Sequence, residues 1–224
     1  DVESRGLGDV YKRQVLYMTK PGTDEKIRSF VREGGTFVTT FFSGIVDEHD
    51  LVITGGYPGK LRDILGIWVE ETDALPSYMK NSFTWNGKTH EAGIICDIMH
   101  METAQPLAVY DSDFYAGTPV LSANAYGKGH AYYVATRSDK DFYADFLQHI
   151  LDEQNITPVY PPCEGVEITE RDKDGKRFLF FLNHNDFPVS LPLETDGTSL
   201  LENRPCKAGT TLQLPPKGAA IYQC

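Results

Sequence analysis

The densest run of side chains able to do chemistry is Ser43-Gly44-Ile45-Val46-Asp47-Glu48-His49-Asp50. Its carboxylates and imidazole could in principle hold a hard cation. Cation loops, however, alternate their ligands with spacer residues and recruit further oxygens, and neither pattern occurs here. The run reads as a structural or subunit-facing loop. Cys96 ends Gly93-Ile94-Ile95-Cys96. A nucleophile elbow, G-x-C-x-G or G-x-S-x-G, needs a glycine after the nucleophile so that a strained turn can present it beside a base. That glycine is missing, so Cys96 reads as a core thiol. His90, His100, His130, His149 and His184 stand alone, without an H-E-x-x-H or comparable spacing. Gly127-Lys128-Gly129 leads into a strand rather than a helix, which makes it a hairpin turn and not a phosphate cradle. The carboxylate pairs Glu70-Glu71 and Asp111/Asp113 have nothing to hold them at the roughly 5 to 9 Å that glycoside hydrolysis requires. No residue is assigned a catalytic, cofactor-binding or metal-binding role, and no cofactor is expected.

The elements that would position these groups follow from apolar spacing. Pro21-Gly22 and then Ile27, Phe30 and Val31 predict a helix that stops at Gly34-Gly35. The β-branched and aromatic stretch 36–42 predicts a strand, so the succession looks like part of an α/β unit. A short helical piece at 61–65 and a strand at 67–70 extend the alternation. Asn86-Gly87 between 83–85 and the segment after Lys88 predicts a type I′ hairpin. Further strands are expected at 107–110, 119–122 and 130–135. A helix with Ser138 as its N-cap is expected over 139–153, stopped at Asn155. Three prolines within Pro158-Val159-Tyr160-Pro161-Pro162 predict a linker. Beyond it, 166–169 and 178–182 flank Asp172-Lys173-Asp174-Gly175, and strands near Val189, Leu212 and Ala220 complete a small all-β sandwich.

Composition narrows the function classes. With 21 Lys+Arg against 32 Asp+Glu the formal charge is −11, which repels nucleic acid backbones. No apolar run approaches the ~20 residues that span a bilayer. Cys96, Cys163, Cys206 and Cys224 are scattered without metal or disulfide spacing, which fits reduced thiols and a reducing cytoplasm. Residues 4–14 back-translate in frame into a transposase-adapter primer of shotgun sequencing, so residues 1–14 are expected to be non-native. The domain plan is therefore 15–156, a linker at 157–163, and 164–224.

Lys20-Pro21-Gly22-Thr23 and the stretch Ile27 to Thr40 closely resemble the trimerisation domain of glycoside hydrolase family 42 β-galactosidases. Ser43 to Glu48, Gly56-Tyr57-Pro58-Gly59, Leu61 to Glu71 and Tyr126-Gly127-Lys128-Gly129 continue the match in order. Gly165-Val166-Glu167, Lys176 to His184 and Leu214 to Gly218 resemble the family's C-terminal β domain. The resemblance implies a Rossmann-like α/β domain of class I glutamine amidotransferase type, followed by a small β sandwich. It implies a parent enzyme that removes terminal β-D-galactose with retention, using two glutamates of an N-terminal (β/α)₈ barrel that precedes this chain. The present chain would then be a non-catalytic part that supports a homotrimer and meets β-galactosides only through its parent. Phe41, Phe42, Ser43 and the Asp47-Glu48 loop are the residues expected to face a partner subunit or the barrel. Two other readings are an amidotransferase-like enzyme using Cys96 and a carbohydrate-binding module using Trp68 or Trp85.

Overall fold

The computed structural model describes residues 10–13 and 15–224, and the chain divides into two compact units, 1–155 and 156–224. The first unit opens with β1 (Val10–Arg13), α1 (Thr23–Arg32) and β2 (Thr36–Thr40). It continues through a 3₁₀ turn (Gly59–Leu61) into α2 (Arg62–Leu65), and then β3 (Ile67–Ala74), β4 (Asn81–Trp85) and β5 (Lys88–Met101). It closes with β6 (Gln105–Val109), β7 (Pro119–Tyr126), β8 (Gly129–Val134), β9 (Thr136–Arg137) and α3 (Lys140–Glu153).

Two sheets share this unit. One has the order β1-β2-β8-β7-β6, parallel from β1 to β8 and antiparallel beyond. The other is antiparallel, β3-β5-β4, with β9 on β5. The strand at 67–70 therefore does not extend the α/β alternation, as its spacing had suggested, but starts a separate sheet. Every residue of β2 is buried, as expected of a strand covered on both faces. Residues 10–13, expected to be non-native and without fold, lie in parallel register on β2. Ladder hydrogen bonds involve only the backbone, so an open sheet edge accepts extended chain with little regard to its sequence.

Local signals act where they were expected. Asn86 and Gly87 both have positive φ, 48° and 77°, as a type I′ turn requires. Gly127, at φ 64°, turns β7 into β8 against the end of α1, where an added Cβ would sit 2.6 Å from the Arg32 Cα. The N-cap of α3 is Asp139, not Ser138: the Asp139 carboxylate accepts from the Phe142 N–H at 2.8 Å. It also takes the Glu91 N–H at 2.9 Å, so one side chain caps the helix and ties it to β5. Phe142 stacks on Phe146 with ring centroids 5.5 Å apart and meets the Phe83 ring edge-on at 5.0 Å, which fixes α3 against β4.

In the second unit, β10 (Val166–Lys173), β11 (Lys176–Asn183), β12 (Val189–Pro192) and β13 (Gly197–Ser199) precede β14 (Arg204–Cys206), β15 (Thr211–Leu214) and β16 (Ala219–Gln223). The sheets are β10-β11-β16-β13-β14 and β12-β15. Tyr160, Leu179, Phe181, Leu191, Leu214 and Tyr222 belong to a single core cluster. The short strands β13 and β14 carry too few apolar residues to be read from sequence.

Candidate functional site

The most elaborate polar arrangement lies inside the first unit. Asp97, on β5, is fully buried. Its carboxylate accepts from the Thr72 hydroxyl of β3 at 2.7 Å and from the Tyr133 hydroxyl of β8 at 2.6 Å, and also from the Phe42 N–H. Tyr57 hydrogen-bonds to Thr72 in turn. Phe42, just past β2, carries a positive φ of 58°. Burial pushes the Asp97 carboxyl up to about 6, against the lowering effect of its donors. Desolvation thus outweighs hydrogen bonding here.

Beside it lies Cys96, whose Sγ is 3.5 Å from the Thr136 hydroxyl and buried. Burial pushes its thiol up, opposite to what a nucleophilic cysteine needs. Tyr110 donates to the Ala135 carbonyl at 3.2 Å, and Tyr115 to Asp73 at 3.1 Å. The arrangement cross-links both sheets without presenting a reactive atom to solvent.

The other candidates are dispersed. Asp47 Oδ1 accepts from the N–H groups of His49 and Leu51 at 2.9 and 3.0 Å, so its carboxylate, held below the usual range by these donors, closes its own loop. Glu70 meets His100 at 2.6 Å, Asp111 accepts from Ser82 at 2.7 Å, and Asp113 accepts from the Phe114 N–H. His90 is buried beside Asp139, His149 lies near Glu153 and His184 near Glu167, while His130 is exposed. Trp68 is stacked on His100 with centroids 4.5 Å apart and lies under the Arg62 guanidinium. Trp85 is buried against Phe146 and His149. Both indoles are already engaged by neighbours, which argues against a sugar-stacking role.

Of the residues expected to face a partner, Ser43 does not. It is fully buried, donates to the Thr40 carbonyl at 2.6 Å and accepts from the Leu16 N–H at 3.2 Å. Phe41 and Phe42 are half-buried. Large apolar side chains of this unit are exposed elsewhere, most of all Tyr78, Phe114, Val52 and Leu51. Met18, Val46 and Val52 pair side by side as a small ribbon, parallel and then antiparallel. The Asp47 N–H bonds the Leu51 carbonyl and the Ile53 N–H bonds the Ile45 carbonyl, both at 2.9 Å. On this ribbon Leu51 is 62% and Val52 70% exposed, with Tyr17 and Met18 also exposed.

Residues 14–157 match the family model described as the β-galactosidase trimerisation domain, and residues 165–223 the one described as the β-galactosidase C-terminal domain. The chain belongs to the glycoside hydrolase family 42 β-galactosidase trimerisation-domain family. It is 47% identical over 219 residues to a β-galactosidase of Planococcus sp. (strain L4), covering 95% of this chain and 32% of that protein. With a β-galactosidase of Geobacillus sp. (strain Y412MC61) it shares 43% over 182 residues, 81% of this chain and 27% of that one. Among solved structures, the β-galactosidase of Bacillus circulans sp. alkalophilus superposes with a TM-score of 0.87 at 42% identity, covering 96% of this chain and 33% of that one. The chain thus spans about a third of the length of the relatives it matches. Among the described residues, no helix is long and apolar enough to cross a membrane.

Proposed function

We propose that this chain is the assembly part of a retaining family 42 β-galactosidase and works as a homotrimer. The hydrolysis of terminal β-D-galactosides would be carried out by a (β/α)₈ barrel of the parent protein. The observation that carries this reading is the trimerisation-domain match over 14–157. The inward-turned chemistry agrees with it, since Asp97, Cys96 and three tyrosines are spent on holding two sheets together. Within this reading residues 1–14 are adapter-derived, 15–156 form the assembly domain, 157–163 link and 164–224 form a β sandwich.

The first unit is read as a Rossmann-like relic of an amidotransferase fold. Its parallel β2-β8 pair supports this, as does the strained Phe42 just past a central strand, where an elbow would present a nucleophile. Burial of Cys96 and its raised thiol weigh against an amidotransferase-like enzyme. Four free cysteines among the described residues fit a reducing cytoplasm.

A chimera tests the reading. Residues 15–224 would replace the corresponding part of the Planococcus enzyme, and hydrolysis of a chromogenic β-galactoside would be followed alongside molar mass. The expected result is an active trimeric chimera and no turnover by the present chain alone. Turnover by the chain alone, or an inactive monomeric chimera that is fully folded, would contradict it.

A further inference from the structure

A cleft of about 430 Å³ in the first unit is lined almost wholly by charged side chains. α1 contributes Asp24 and Arg28, the 3₁₀ turn and α2 contribute Lys60, Arg62 and Asp63, and Glu102 follows β5. Acids and bases are equal in number, so the lining as a whole is neutral.

Most of these charges already engage one another. The Arg28 fork holds both oxygens of Asp63, Nε to Oδ2 and Nη2 to Oδ1 at 3.1 Å each, and Nη2 also donates to the Lys60 carbonyl at 3.3 Å. Arg62 Nε donates to Glu102 Oε2 at 2.9 Å, and Arg62 Nη1 reaches the Gly55 carbonyl at 3.4 Å. The two pairs form a braced frame, and neither guanidinium keeps its fork free for a ligand.

Two groups are left over. The Asp24 side chain is only 7% exposed, and its Oδ2 meets Arg28 Nη1 at 3.6 Å. Its Oδ1 is buried and has no hydrogen-bond partner among the described residues. Buried polar atoms are nearly always paired, because leaving one without a partner is costly. One that belongs to the lining of a cleft can be paired from outside the chain. Lys60 is exposed and forms no ion pair or side-chain hydrogen bond among the described residues, and Asp47 feels its charge only across space.

The free groups are thus a negatively charged acceptor and a positively charged donor on one cleft. We propose that the cleft binds a small zwitterion of the amino-acid class, whose primary ammonium donates to Asp24 Oδ1 and whose carboxylate lies against the Lys60 ammonium. A simple cation or anion would satisfy one of the two groups, and a neutral lining gives it no net pull. No apolar side chain lines the cleft, so a ligand with a large hydrocarbon part has nothing to pack on. Asp24 demands an N–H: a quaternary ammonium carries the same charge and cannot hydrogen-bond to Oδ1. Bound there, the zwitterion ties the first turn of α1 to the turn that precedes α2, and it stabilises the first unit by mass action. The site does not depend on how the chain assembles.

The test is an NMR titration of the isotope-labelled full chain at constant ionic strength and millimolar ligand. The probes are glycine, β-alanine and 4-aminobutyrate, which space the two charges differently. Trimethylglycine, which lacks N–H donors, and galactose, a neutral polyol, are the controls. The expected result is saturable shifts of amides in 22–28 and 59–63 with at least one amino acid and none with either control. Asp24→Asn and Lys60→Gln should each weaken that binding roughly tenfold, as expected when a hydrogen bond to a charged group is lost. Lys60 is exposed, so its variant decides the matter alone should Asp24→Asn unfold, which the same spectra report.

No saturable shift with any of the three amino acids would overturn the proposal. Trimethylglycine binding as tightly as glycine would overturn the role of Asp24. Galactose shifting these amides while the amino acids do not would make the cleft a polyol site and overturn the zwitterion. Unchanged affinity in the folded Lys60→Gln chain would overturn the placement of the carboxylate.

Discussion

Two regions of the first unit invert the usual distribution of polarity, and they resolve it in opposite ways. Around Asp97 a carboxylate is taken out of water, and the chain itself supplies its donors from Thr72, Tyr133 and Phe42. Along the ribbon, Leu51 and Val52 are left in water, and nothing within the first unit's own core covers them. The first inversion is complete within one chain; the second leaves apolar side chains that the described residues of this chain do not cover. Internal hydrogen bonding thus marks the first as a structural device of the chain itself.

If the interior is a self-sufficient scaffold, its packing should show the largest effects. Phe142→Ala removes the ring that stacks on Phe146 and meets Phe83 and is expected to cost about 3–5 kcal/mol. Urea titration followed by tryptophan fluorescence checks this, since Trp68 and Trp85 both lie in the first unit.

The pH response of Asp97 comes next. Its carboxyl is raised to about 6 in the folded chain from an ordinary value of 3.8, so the folded state holds the proton more tightly. Its contribution to stability is fully present below about pH 4 and is lost as pH rises to about 6, by on the order of 3 kcal/mol. Other carboxylates, such as Asp139, are shifted the opposite way, so the informative quantity is the stability of the natural chain minus that of Asp97→Asn. That difference should fall between pH 4 and 6 and be flat above; a difference that rises would break the account of this region.

Tyr133→Phe deletes the 2.6 Å donor to Asp97 and is expected to cost about 1.5–3 kcal/mol. It should also move the Asp97 transition further upward, as NMR titration of the carboxyl would show. Asp139→Ala removes the cap of α3 at about 1 kcal/mol, measured by the same urea titration, while Ser138→Ala leaves that cap in place. The smallest effect sharpens the comparison most: Leu51→Ser/Val52→Ser should change monomer stability by less than about 0.5 kcal/mol, because neither side chain contributes to the core.

How much could be read beforehand depends on how local each signal is. Asn86-Gly87 and the helix from Thr23 were legible because turn chemistry and apolar spacing act within a few residues. The helix at 140–153 was legible too, but its cap was not: Ser138 and Asp139 both suit the role, and Asp139 prevails because it also reaches the Glu91 amide. The Asp97 network was hidden because Thr72 and Tyr133 lie 25 and 36 positions away. Within Cys96-Asp97-Ile98-Met99 the aspartate resembles any solvated strand position. The ribbon was hidden because the stretch from Ser43 to Gly59 reads as a polar loop, and its single-residue bridges to Met18 and within the loop leave no strand pattern in the sequence.

The most direct measurement is the molar mass of the full chain in solution, across a concentration series, by size-exclusion chromatography with light scattering. The account expects a species of three times 25.1 kDa, dissociating on dilution without loss of secondary structure. A folded monomer at every concentration would contradict it.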